Sequence, residues 1–168
     1  PHEIVNKFMG YRSNLSTLEV DLLEKQWNDI RSSVQEAMDT MSNEASGKRV
    51  NLGRLVSIAY VSGSMGGTPM EVCIALLILV SELAAPEFAN RCLTFSDNPS
   101  WIVFNDDMRL QDKVHCTEKL PWGGSTNFEA AMDLVLERAI ANELRPDEIP
   151  DLICFSDMQF NAARGAHS

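Results

Sequence analysis

The stretch RLVSIAY, Arg54 to Tyr60, runs into VSGSMGG and then into TPMEVCIALLILVSELA. This succession constrains the fold more than any other feature of the chain. A short apolar run closed by serine and glycine is a buried strand meeting a turn. The next segment has Thr68 placed as a cap, Pro69 at the first helical position and Glu71 closing a capping box, so it is expected to be a helix. A buried strand turning directly into a largely apolar helix can cover its faces only in an α/β arrangement.

The same grammar returns further along. RCLTFS (Arg91 to Ser96) and WIVF (Trp101 to Phe104) read as strands joined by the turn SDNP. TNFEAAMDLVLERAIANEL, from Thr126 to Leu144, reads as a second main helix with a Thr126–Glu129 box, and DLICFS (Asp151 to Ser156) as a last buried strand. The expected fold is a three-layer α/β/α sandwich with a mostly parallel sheet. The strand from Arg54 is central, between those of Leu93 and Ile153, and the helix Pro69–Leu83 is buried. Upstream, Leu15, Leu18, Leu22, Trp27, Ile30, Val34 and Met38 recur at helical steps, with one extra step between Leu22 and Trp27. Ser16 and Glu19 form a box at the start of that helix. Residues 1–50 are thus a helical segment ending in the polar linker Ser42–Arg49, and residues 51–168 the main domain.

Composition narrows the function. The net charge is −10, and no Lys/Arg cluster interrupts it. Direct nucleic-acid binding needs cationic groups that displace counterions, so none is expected. No apolar run is long enough for a membrane span, and CIALLILV, between Glu71 and Glu82, is a buried helix instead. The four cysteines, Cys73, Cys92, Cys116 and Cys154, form no C-x-x-C pair and read as reduced small hydrophobes of a cytoplasmic protein. His2, His115 and His167 share no metal spacing and are expected at the surface. There is no phosphate-loop lysine, no G-x-G-x-x-G fingerprint and no G-x-S-x-G elbow, so a hydrolase or other enzyme is disfavoured.

Ligands of open α/β sheets bind beyond the carboxyl ends of the strands. Three segments end there with polar groups: Tyr60, Ser62 and Ser64; Ser125 and Thr126; Ser156 and Asp157. Gly63 permits the turn that would let two hydroxyls converge, and oxygen ligands of this kind suit a hard divalent cation. As a plainer alternative, the same groups could cap helices and satisfy loop backbone.

YVSGSMGGTPMEV, WGGSTNFEAAMDLVL and ICFSDMQF together resemble the von Willebrand factor A-like fold. More closely they resemble uncharacterised intracellular proteins distantly related to the TROVE/Ro ribonucleoproteins, a likeness that extends to PHEIV and to Gln26–Trp27. The resemblance implies a metal-ion-dependent adhesion site with Ser62, Ser64, Thr126 and Asp157 as ligands. It also implies a protein partner whose acidic side chain completes the coordination, with a Ro-like ribonucleoprotein assembly as the alternative. The departure is Tyr60, where the pattern has aspartate. A phenol of pKa near ~10 brings no charge at neutral pH, so bound Mg²⁺ is expected to be weak or absent and the site degenerate. Asp106 and Asp107, on another loop, could help, though nothing requires it. The resembled fold carries further strands. The chain ends eleven residues after Asp157, so it is expected to be part of a longer polypeptide, with Leu152–Phe155 an exposed edge through which self-association could occur.

Overall fold

In the computed structural model the described residues are 1–10, 14–44, 54–59, 66–94, 98–120 and 127–155. They form α1 (His2–Phe8), α2 (Thr17–Glu44), β1 (Leu55–Ala59), α3 (Thr68–Leu83), β2 (Arg91–Thr94), β3 (Trp101–Val103), α4 (Leu110–Glu118), α5 (Phe128–Ala141) and β4 (Asp151–Phe155). The sheet order is β3-β2-β1-β4. β1 pairs in parallel with both β2 and β4, and β2 pairs antiparallel with β3. The fold is therefore mixed α/β with a mostly parallel sheet and β1 between the strands of Leu93 and Ile153, as the sequence predicts. No helix of the described residues is long and apolar enough to cross a membrane.

Strand alternation divides the core in two. Val56 and Ile58 of β1 join Leu93, Phe88 and Val135 of α5 on one face, with Leu134 and Leu152 packed against them. Ala59, Cys92 and Ile102 face the other way, into a larger cluster built on Cys73, Ile74, Leu77 and Ile78 of α3. Ser57 points to this second face and donates its hydroxyl to the Leu77 carbonyl at 3.3 Å. The chain runs from β1 through α3 to β2, then returns past β1 through α5 to β4. Reversing direction across the sheet while keeping right-handed crossovers requires the two helices to lie on opposite faces, and they do.

α3 buries nine of its sixteen residues. One side meets the sheet, while Val5 and Phe8 of α1, Trp27 and Met38 of α2, and Leu110 and Val114 of α4 close over the rest. This explains a helix that is apolar all round. Its start differs from expectation. Gly67, at φ +84°, is the N-cap and Thr68 is already helical, with no side-chain cap bond. Glu71 instead accepts a hydrogen bond from the Asn6 amide of α1.

α2 begins with the predicted box: the Ser16 N–H donates to Glu19 Oε2 at 2.8 Å, and the Glu19 N–H donates to Ser16 Oγ at 3.3 Å. The expected apolar stripe is corrected in its first turns. Leu18 and Leu22 face solvent, while Val20, Leu23 and Trp27 turn inward. The irregular step from Leu22 to Trp27 disappears once Val20 and Leu23 carry the stripe.

α4 is an element the sequence does not announce. It is held by Lys113, whose ammonium donates to Glu82 Oε1 of α3 at 2.6 Å and lies 5.8 Å from the Phe104 ring centroid. Glu82 Oε2 accepts the indole N–H of Trp27 at 2.9 Å. The Lys113 and Glu82 side chains are only 9% and 5% exposed. Removing one member of a buried ion pair strands the other, at a cost of about 3–5 kcal/mol. Glu82→Ala is therefore expected to lower urea-unfolding stability by about 3 kcal/mol, whereas Glu82→Met combined with Lys113→Met recovers only the share due to the stranded ammonium, because the Trp27 indole N–H still lacks its acceptor. A single-substitution loss below about 1 kcal/mol would show that the triad carries no weight in this fold.

Candidate functional site

β1, β2 and β4 end at the same edge of the sheet. Ala59 is the register partner of Thr94 on one side and of Phe155 on the other. Neighbouring strands lie about 4.8 Å apart, so the chain leaves β1 and β4 from adjacent points. Tyr60 follows Ala59 directly, and Ser156 and Asp157 follow Phe155. The predicted ligands Ser62, Ser64, Thr126 and Asp157, together with Tyr60, Ser125 and Ser156, lie outside the described residues. So does their expected convergence on one point.

The flanking geometry corrects two expectations. α5 is capped by Asn127, whose Oδ1 accepts the Ala130 N–H at 3.0 Å. The helix starts at Phe128, so the cap assigned to Thr126 belongs to its neighbour. Asn is as good a cap as Thr and sits one residue closer to the first helical residue. Asp106 and Asp107 stand away from the carboxyl edge of the sheet. They follow β3, which runs antiparallel and ends with Val103 opposite Arg91, the first residue of β2. That is the amino edge of the parallel strands, the far side of the sheet from Ala59 and Phe155. Asp106 there accepts a hydrogen bond from the Asn90 amide at 2.9 Å.

One described hydroxyl at the carboxyl edge was not singled out from the sequence. Thr94 ends β2 beside Ala59, and its Oγ1 accepts the Ser100 N–H at 2.9 Å. It is thus committed to closing the β2–β3 connection. Its signal in the sequence is only its place at the end of an apolar run. Among the described residues no group of three or more His, Cys, Asp or Glu side chains could hold a metal ion. His115, expected at the surface, is half-buried and bonds the Phe8 carbonyl through Nε2 at 2.9 Å. It ties α4 to α1.

Comparison with known proteins gives a family and one relative of wide coverage. The family described as "Domain of unknown function (DUF7788)" matches residues 54–168, from the first turn of the sheet domain onward. The protein named "Uncharacterized protein L728" of Acanthamoeba polyphaga mimivirus is 40% identical over 163 residues. That alignment spans 96% of this chain and 25% of the viral protein, so the chain corresponds to a quarter of that relative's length. No solved structure matches significantly.

The fold suppresses its buried thiols. All four cysteines are free. Burial pushes the Cys73 thiol up to about 12 and Cys92 well above its ordinary range, with smaller contributions from neighbouring thiols. The thiolate is the reactive species, so both are inert at neutral pH. Because folding raises these values, the protonated thiols favour the folded state. The Cys73 contribution is complete below the ordinary thiol value of 9.0 and is lost as pH climbs towards about 12. Titration with a disulfide reagent at pH 8 is expected to label Cys154, the exposed thiol, first. Cys73 and Cys92 should react only on unfolding. Rapid labelling of Cys73 in the native protein would contradict the packing of α3.

Proposed function

The chain belongs to the family described as "Domain of unknown function (DUF7788)", and we propose that it is a non-enzymatic, protein-binding domain of von Willebrand factor A-like fold with a degenerate adhesion-type metal site. The observation that carries this reading is the parallel register of Ala59 with Phe155. Two loop-bearing strand ends stand side by side at the carboxyl edge, where α/β sheets place their ligands. Tyr60, Ser62 and Ser64 follow one strand and Asp157 follows the other. Thr126 immediately precedes the Asn127 cap of α5.

The donor set Ser62, Ser64, Thr126 and Asp157 is all oxygen, which suits a small hard cation. It carries a single carboxylate, and Asp106 and Asp107 follow β3 at the opposite edge of the sheet. Affinity for such cations follows ligand charge, so the protein alone should hold Mg²⁺ weakly. An acidic side chain from a partner would supply the missing charge. Binding of partner and metal would then be mutually reinforcing.

Calorimetric titration of Mg²⁺ into the wild type and into Tyr60→Asp tests this. The wild type is expected to give a dissociation constant in the millimolar range or weaker, and Tyr60→Asp to tighten it about tenfold, or about 1.4 kcal/mol. Equal affinities would show that Tyr60 is not what limits the site. Tight Mg²⁺ binding by the wild type would overturn the description of the site as degenerate.

A further inference from the structure

Two arginines far apart in the sequence meet in the fold. Arg91 opens β2, and strand alternation puts its side chain on the α5 face with Leu93. Arg138 lies in the last turn of α5. Both are half-buried and anchored to one short turn. Arg138 donates through Nε to the Glu87 carbonyl at 2.6 Å, and Arg91 through Nε to the Ala89 carbonyl at 3.3 Å. Between those carbonyls the buried Phe88 ring has the Arg138 guanidinium 6.0 Å from its centroid. Each anchor occupies a single N–H, and no acceptor among the described residues holds the Nη groups. Nor does a carboxylate neutralise the pair. Arg31, Arg109 and Arg145 all lie within ion-pairing reach of acidic side chains, whereas Arg91 and Arg138 meet none among the described residues. Acid is not in short supply, since the chain has 24 Asp and Glu against 14 Lys and Arg. The fold simply keeps it away. Three and four residues either side of Arg138 on α5 stand Leu134, Val135, Ala141 and Asn142, and the register partner of Arg91 is Val103. The two charges feel one another: burial first, and then the charge of Arg138, push the Arg91 guanidinium below its ordinary value.

We propose that Arg91 and Arg138 form a binding site for a phosphoryl group that carries two negative charges. One dianion neutralises both guanidinium groups at once and removes their mutual repulsion. A guanidinium presents parallel N–H donors whose spacing matches phosphate oxygens. The Nε anchors already hold both forks in place, so little side-chain freedom is lost on binding. The apolar surroundings at Phe88 and Val103 strengthen the attraction relative to open water. A single carboxylate would leave one of the two charges unmet. A nucleic-acid backbone fits less well, because a polyanion would also meet the acidic excess of a chain of net charge −10. The pair stands at the amino edge of the parallel strands, where β2 begins. The loops that leave Ala59 and Phe155 start from the opposite edge, so the anion site is separate from the cation site proposed there.

The test titrates inorganic phosphate into the 168-residue chain, with acetate at matched ionic strength as the control, and follows the arginine Nε–H resonances. Phosphate is expected to move the Arg91 and Arg138 signals with one shared dissociation constant in the millimolar range. Acetate should leave them in place. Arg91→Gln and Arg138→Gln should each weaken phosphate binding about tenfold or more. Arg138 also braces α5 on the turn at Glu87, so a second readout is independent of that brace. The melting temperature of the wild type should rise by about 2 °C or more in about 20 mM phosphate, and this rise should vanish in Arg91→Gln whatever its baseline. Free O-phosphoserine and a short phosphoserine peptide, titrated in the same way, separate two sources of the group. Tighter binding of the peptide assigns it to a partner's phosphorylated side chain, and equal binding to a small phosphate ester. Unmoved Nε–H signals, an equal response to acetate, or phosphate binding unchanged by both substitutions would overturn the proposal.

Discussion

Glu82 is the charge around which the helical half of the molecule is assembled. It sits near the end of a helix that is otherwise apolar, and taking its carboxylate out of water is unfavourable unless both oxygens are occupied. Each oxygen accepts from a different helix, Oε2 from the indole of Trp27 in α2 and Oε1 from the ammonium of Lys113 in α4. Hydrophobic burial is non-directional, so a directional hydrogen bond adds register to the packing of α2 on α3. One carboxylate with two named donors fixes where α2 and α4 must lie. With those helices in place α3 can be buried on every side, and with α3 in place the sheet has a rigid backing.

The two faces of the sheet differ in consequence. The α3 face is backed by that helix and by α1, α2 and α4 beyond it. The α5 face carries one helix held by Val135 and Leu134 against Val56, Ile58 and Leu93. β1 is therefore buried from both sides and paired at both edges, while β4 depends on β1 alone among the described strands. Local opening follows contact density, so the order of stability along the sheet should run from β1 outward to β4.

Much of this architecture can be read from the residues, and the failures have physical causes. β1, α3 and β2 are legible because burial on both sides demands continuous apolar runs bounded by turn chemistry. β4 is legible for the same reason, although its composition anticipates more burial than the described residues supply. α4 is not legible. Its inward residues are Leu110, Val114, Thr117 and the ion-paired Lys113, and a buried lysine looks like surface until its partner on another helix is known. The caps of α3 and α5 were misplaced by one residue because a Thr-x-x-Glu pattern says nothing of a neighbouring Gly67 or Asn127 that fits the bend better. The shift of the α2 stripe from Leu18 and Leu22 to Val20 and Leu23 depends on which face α4 and α3 present. For the candidate site, sequence order places each loop at a strand end, and Ala59 beside Phe155 gives the spacing of two of those ends. The positions of Ser62, Ser64, Thr126 and Asp157 depend on loop conformations that periodicity does not encode.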